Sequence, residues 1–264
     1  MNPLYFGSSA SPLYGVYHPP KARVGRQTGV VLCAPFGQEY MRAHRAYRQL
    51  SLLAAKAGYH VLRFDYTGSG DSAGDGEDFS IGRAVEATGL AIEELCDTAD
   101  VERVVLVGLR LGGLIATRAA AERSDVAHLV LWDPVTDGPT YLQELLVDAA
   151  ARPQSFGSIT AKGEAHGVVG VMGYPVTATL REELAATRMM STTGLRLRSG
   201  LVMCTDDRPE HHVLAQHLSG PSGKVSFKHE PIQGRWDEVD NWGSAMIPQA
   251  AIQAIVGWLS AEVV

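Results

Sequence analysis

The sequence predicts a single α/β domain built on a mostly parallel sheet with helices on both faces, and three observations carry that prediction. Apolar runs of strand length alternate with helical spacings from Gly29 to Trp132, the pattern of parallel strands joined by crossover helices. The stretch Val104–Arg118 breaks from branched apolar residues at Gly108 and resumes at once as an Ala-rich helical pattern after Gly112 and Gly113, which reads as strand, sharp turn and helix. At 264 residues, with no repeat and no low-complexity tract, the chain can bury one large core.

Taken in order, Leu4–Phe6 and Leu13–Tyr17 read as short strands that open the sheet in antiparallel fashion. Pro19, Pro20 and the charged residues 21–27 make a surface loop. Gly29–Ala34 is a continuous apolar run that suits a strand covered on both faces, ended by Pro35-Phe36-Gly37. Ala43–Ala57 has helical spacing in Tyr47, Leu50, Leu53 and Ala54, with Gly58 as its stop. His60–Asp65 is a strand, residues 66–78 form a Gly-rich stretch, and Ser80 is placed to cap a helix that runs to Cys96. After the Val104–Arg118 segment, His128–Trp132 is a strand ending in Asp133-Pro134.

The regular beat stops at Asp137 and resumes with the strand Gly200–Cys204. Between them lie helical patterns at Tyr141–Ala150 and Thr179–Thr187 and a Gly-rich stretch, Val168–Val176. An insertion between two sheet strands is the usual place for a lid over a pocket, so one domain spanning 1–264 with a lid at about 137–199 is expected; a plain structural extension is the alternative. A helix over Pro209–Leu218, a strand at Val225–His229, a loop through Asn241 and an amphipathic helix from about Ile247 to Leu259 close the chain.

A formal net charge of −6 with no basic block argues against nucleic acid as the main partner and points to a small-molecule substrate or a protein. Cys33, Cys96 and Cys204 have no CxxC or Cys/His spacing and read as buried free thiols. No signal-peptide pattern and no long apolar run occurs, so a soluble cytoplasmic protein without a membrane partner is expected. Asp206, Asp207, His211 and His212 include an i, i+4 spacing, but no second cluster accompanies them, and no metal or cofactor is expected. The oligomeric state is left open.

Three motifs together resemble the α/β-hydrolase superfamily over most of the chain: Ala34-Pro-Phe-Gly-Gln-Glu-Tyr40 after the third strand, Arg63-Phe-Asp-Tyr-Thr-Gly-Ser-Gly-Asp-Ser-Ala-Gly74 after the fourth, and Gly108-Leu-Arg-Leu-Gly112. The second is similar to the Arg-x-Asp-x-x-Gly-x-Gly-x-Ser motif of many bacterial members. More narrowly, the chain resembles bacterial serine-aminopeptidase-like and exosortase-system-associated hydrolases, some of which carry Gly-Leu-Arg at this turn. In the superfamily the third motif is the nucleophile elbow, G-x-S-x-G, with a serine on a strained turn.

The resemblance implies Arg110 at the nucleophile position, an acid at Asp133 or at Asp206 or Asp207, and Arg235 or Trp236 where the family has its histidine. The Ser-His pair is therefore expected to be missing. The same resemblance implies that the N–H groups of Leu111 and of the Phe36–Gly37 turn, with the positive end of the following helix, still converge on an oxyanion-sized spot. A guanidinium added there suits a carboxylate, phosphate or enolate, whereas with a pKa above about 12 it is neither base nor nucleophile. The alternative role for Arg110 is a structural ion pair with a neighbour such as Asp133 or Asp206.

Glu39, Tyr40, Arg42, His44 and Arg45 follow the Phe36–Gly37 turn as a polar cluster, and His44 titrates near neutrality, so it is a candidate acid or base; a solvent-facing helix histidine is the plainer reading. His166, in the expected lid, is a weaker candidate on position alone. Gly70-Asp-Ser72-Ala-Gly74 also matches G-x-S-x-G literally, but it follows a turn, and Ser72 is expected to bond backbone there.

The site is thus expected to use Arg110, Asp206 and His44 in catalysis, with Phe36, Gly37, Leu111, Glu39, Trp236 and Asp133 on the substrate. Two functions follow. One is an enzyme without a serine nucleophile acting on a small acyl or carboxylate-bearing substrate, by activated water, elimination or isomerisation. The other is an inactive hydrolase relative that binds a small anionic ligand or a partner protein.

Overall fold

The computed structural model describes residues 1–21, 26–151, 168–220, 223–232, 234–236 and 246–263. Two antiparallel strands, β1 (Asn2–Ser8) and β2 (Ser11–His18), precede β3 (Thr28–Cys33), α1 (Gln38–Lys56), β4 (His60–Phe64), α2 (Ile81–Ala99), β5 (Arg103–Leu109), α3 (Leu111–Glu122) and β6 (Val126–Trp132). Then come α4 (Gly138–Ala151), β7 (Val169–Val171), β8 (Tyr174–Val176), α5 (Ala178–Ala186), β9 (Ser199–Cys204), α6 (Pro209–Leu218), β10 (Lys224–His229) and α7 (Gln249–Glu262).

Eight strands form one sheet in the order β1-β2-β4-β3-β5-β6-β9-β10, parallel from β4 to β10 and antiparallel where β2 meets β1 and β4. Every residue of β3 and β6 is buried, so the middle of the sheet is covered on both faces, as their unbroken apolar runs require. Helix α1 packs with α7, and α2 packs with α3. The sequence-predicted elements of this frame are all present, with ends displaced by a few residues.

The largest displacement has a physical cause. Helix α1 begins at Gln38 rather than Ala43, because its first turns bury Glu39 and Arg42, where an apolar spacing cannot reveal a buried face. The Ser80 cap is realised: its hydroxyl accepts the Arg83 N–H at 3.2 Å.

Between β6 and β9 the described residues form α4, a small hairpin and α5. The Gly-rich stretch becomes that hairpin because Met172 and Gly173 both adopt positive φ, at 52° and 89°, the conformation of a tight two-residue turn. Glu183 of α5 ties this excursion to the sheet layer, accepting the N–H groups of Ile81 at 2.6 Å and Gly82 at 3.0 Å at the open start of α2. Asp137 and Arg188 join the two stems by an ion pair at 3.2 Å. His166 lies outside the described residues.

Candidate active site

The site forms where β5 turns into α3. Arg110 is the single residue between them, with φ 51° and ψ −122°, a conformation that costs a non-glycine residue strain. Its backbone is pinned on both sides: its N–H donates to the Trp132 carbonyl at 3.0 Å, and its carbonyl accepts from Gly113 at 2.9 Å and Val135 at 3.2 Å. The flanking glycines are steric requirements, since a Cβ at Gly108 would strike the Gly112 carbonyl and one at Gly112 would strike the Cys33 carbonyl.

That turn aims the guanidinium at two carboxylates. Arg110 Nε donates to Glu39 Oε1 at 2.7 Å, and Nη2 donates to Glu144 Oε2 at 3.3 Å. Glu39, in the first turn of α1, is only 6% exposed, whereas Glu144 on α4 is 52% exposed. Tyr141, one helical turn before Glu144, donates its hydroxyl to Glu39 Oε2 at 3.0 Å and lies under the guanidinium, 5.5 Å from its carbon. Burial opposes the charge on Arg110, but Glu39, Tyr141 and Glu144 together more than offset it and the guanidinium pKa is raised.

Asp133 occupies the end of β6 with φ 42°. Its Oδ2 accepts the Trp236 indole N–H at 2.7 Å and its Oδ1 accepts the Thr205 N–H at 2.7 Å. Burial pushes its pKa up against the lowering effect of those two bonds. Trp236 stands edge-on to Trp132, with ring centroids 5.2 Å apart.

A cleft of about 490 Å³ opens over these groups, and Arg110, Asp133, Glu144, Asp206, Arg235 and Trp236 are among its lining residues. On its other side Arg110 borders a far smaller space of about 30 Å³ with Phe36, Gly37, Glu39 and Tyr141. The structure thus gathers Arg110, Asp133, Asp206 and Trp236 on one cleft, and Phe36, Gly37 and Glu39 behind it. Leu111 is fully buried beneath the turn. Asp206 is exposed and paired with Arg208 at 2.8 Å.

His44 is not brought to Arg110. It lines a separate cavity with Arg63, whose Nη1 lies 3.2 Å from His44 Nε2. Asp133 and Asp206, offered from sequence as structural partners of Arg110, are not its ion-pair partners; Glu39 and Glu144 are. Glu144 and Tyr141 escaped the sequence reading. Their i, i+3 spacing puts them on one helix face, but nothing local says that this face meets Arg110. Ser72 is buried in its turn, donating to the Asp65 carbonyl at 2.6 Å and accepting the Tyr14 N–H at 2.8 Å.

Among the described residues no group of three His, Cys, Asp or Glu side chains is arranged to hold a metal ion, and no helix is long and apolar enough to cross a membrane.

No curated protein matches the sequence significantly. Solved structures similar to it include Est1E of Butyrivibrio proteoclasticus, solved with ferulic acid bound, at 16% identity and TM-score 0.67 over 98% of this chain and 99% of that one. An esterase of Pyrococcus furiosus is similar at 15% identity and TM-score 0.61, over 100% and 91% of the two chains. The α/β hydrolase GrgF of Penicillium sp. sh18 is similar at 14% identity and TM-score 0.61, over 86% and 88%. At such identities these likenesses speak for the fold alone. A family model matches residues 30–251, which span the sheet from β3 onward and every residue around Arg110, and the chain therefore belongs to the alpha/beta hydrolase family.

Proposed function

We propose that this family member carries no nucleophile at its strand-to-helix turn and retains a small ligand in the cleft beside Arg110 instead of cleaving one. The observation that carries this reading is the engagement of the Arg110 guanidinium by Glu39 at 2.7 Å and Glu144 at 3.3 Å, at the one residue between β5 and α3. Acyl transfer in this fold needs an activated nucleophile on that turn and a base to take its proton. Arginine is neither. Trp236, which with Arg235 stands where the resemblance puts the family's histidine, contacts Asp133 and offers a donor N–H and no acceptor, so it takes no proton.

An anionic ligand remains the best-supported class, on a definite condition. It reaches Arg110 by displacing Glu144, the more exposed and more distant partner, while Glu39 stays in place. Because Glu144 and Tyr141 both belong to α4, that helix acts in this reading as a lid element whose docking competes with the ligand.

A catalytic reading has one observation in its favour: Asp133 lines the same cleft, and burial raises its pKa as a general acid or base requires. Against it, the hydrogen bonds that Asp133 accepts from Trp236 and Thr205 favour its charged form and lower its basicity. Asp206, the expected partner in catalysis, is 62% exposed and held by Arg208.

Fluorophosphonate labelling of the purified protein, with the modified residue mapped by mass spectrometry, tests the proposal. The expected result is no labelled serine. Stoichiometric labelling of one serine, Ser72 included, overturns it and restores the ordinary serine-hydrolase mechanism.

A further inference from the structure

A second cavity, of about 130 Å³, lies beside β2, the end of β4 and α1, away from the Arg110 cleft. Tyr14, Tyr40, His44, Arg63, Asp65 and Asp71 line it. Its cation is Arg63, whose Nε donates to His18 Nε2 at 3.3 Å and whose Nη1 meets His44 Nε2 at 3.2 Å. A guanidinium only donates, so both imidazoles accept through Nε2 and are neutral. Burial, helped by the Arg63 charge, holds His18 down to about 4 and lowers His44 as well, so both stay neutral at pH 7. The direct partners of Arg63 are therefore uncharged, in contrast to Arg110 with its two carboxylates.

Two of five N–H donors on Arg63 are used in this way, and three are left on a side chain that lines the cavity. The same cavity also carries acceptors. Asp65 is oriented by the Tyr40 hydroxyl, which donates to Oδ1 at 2.7 Å, and by the Asp71 N–H, which donates to Oδ2 at 3.1 Å. Each carboxylate oxygen has a second lone pair beyond those bonds. The lining thus offers a guanidinium and carboxylates inside one small volume. At roughly 30 Å³ per water, 130 Å³ holds about four waters, and because bonded atoms sit closer together than separate waters the space suits a molecule of about five heavy atoms.

We propose that this cavity binds a short carboxylate that also carries a hydroxyl or amino group, with its carboxylate on Arg63 and its donor group on Asp65. A bidentate guanidinium–carboxylate contact supplies the affinity. The Asp65 carboxylate supplies the selectivity, because it repels a ligand that is only an anion and accepts from one that brings a donor.

The test is an NMR titration of the full-length protein, following the imidazole signals of His18 and His44 while glycolate, glycine or acetate is added. Glycolate or glycine is expected to shift both histidines saturably in the millimolar range, with acetate about fivefold weaker for want of the second hydrogen bond. Arg63→Gln is expected to weaken binding by more than about tenfold. Absence of a saturable shift with either two-function ligand overturns the proposal, as does acetate binding as tightly as glycolate. If Arg63→Gln does not fold, the ligand series on the unaltered protein decides alone. If it folds and binds glycolate as tightly as before, Arg63 is not the site.

Discussion

Arg110 Nε and Glu39 Oε1 meet at 2.7 Å, one from the turn between β5 and α3 and the other from the first turn of α1. The contact joins the two turns that shape the C-terminal edge of the sheet. It makes the guanidinium a structural member of the site even where a ligand shares it.

Removing the buried partner has a predictable cost. Glu39→Gln is expected to destabilise the fold by about 3 kcal/mol, because it leaves Arg110 with Glu144 alone. Replacing both residues together, with Arg110→Met and Glu39→Met, is expected to cost less than the single change. Urea midpoints of the three proteins measure both; equal destabilisation by single and double variants contradicts a buried pair.

Glu144 is the exchangeable partner. Glu144→Gln is expected to tighten binding of a short carboxylate or inorganic phosphate at Arg110 several-fold, at a stability cost of about 1 kcal/mol or less for a half-exposed ion pair. Calorimetric titration checks this, and weaker anion binding in the variant rules out competition.

The Asp133–Trp236 contact suggests how a Ser-His pair can be built at this site. Arg110→Ser alone is expected to show no fluorophosphonate labelling and no ester turnover, since Trp236 accepts no proton. Adding Trp236→His puts an imidazole beside Asp133 and is expected to produce labelling at position 110, though the smaller ring costs roughly 2–4 kcal/mol of packing. Labelling of the single variant means that another base serves the turn.

Acid sensitivity follows from two buried histidines. His18 and His128 are held down to about 4 by burial, so each is neutral in the folded state between pH 4 and 6.5 while the unfolded chain takes up protons. The sign is fixed: their contribution is complete above pH 6.5 and is lost as pH falls to about 4, at roughly 2 kcal/mol each after allowance for solvent screening. His128→Gln, which retains a partner for Ser199, is expected to flatten the dependence of unfolding free energy on pH across that interval. An unchanged slope places the acid sensitivity elsewhere.

Glu183 holds α5 to the start of α2 through two N–H groups. Glu183→Ala is expected to cost about 1–2 kcal/mol and to raise amide exchange in Ala178–Ala186 before the sheet is affected.

The frame of this protein was legible in its sequence because local chemistry dictates it. Unbroken apolar runs such as Val104–Leu109 require burial on both faces, Ser80 and Gly58 punctuate helices, and Gly108 and Gly112 are where a Cβ has no room. Arg110 was likewise legible as the odd residue of its motif. The start of α1 was hidden because its buried face carries Glu39 and Arg42, which no hydrophobic spacing reports.

What the tertiary structure decided was which charges meet. Glu39 lies 71 residues from Arg110 in the chain and Glu144 lies 34 away. His44, near Arg110 by motif order, is turned along α1 to Arg63 instead. The sequence alone determined that a cation stands at the sharp turn of this fold. Only the packing of α1 and α4 against that turn determined that two carboxylates neutralise it, because ion pairing depends on distances of a few ångströms that sequence separation does not encode.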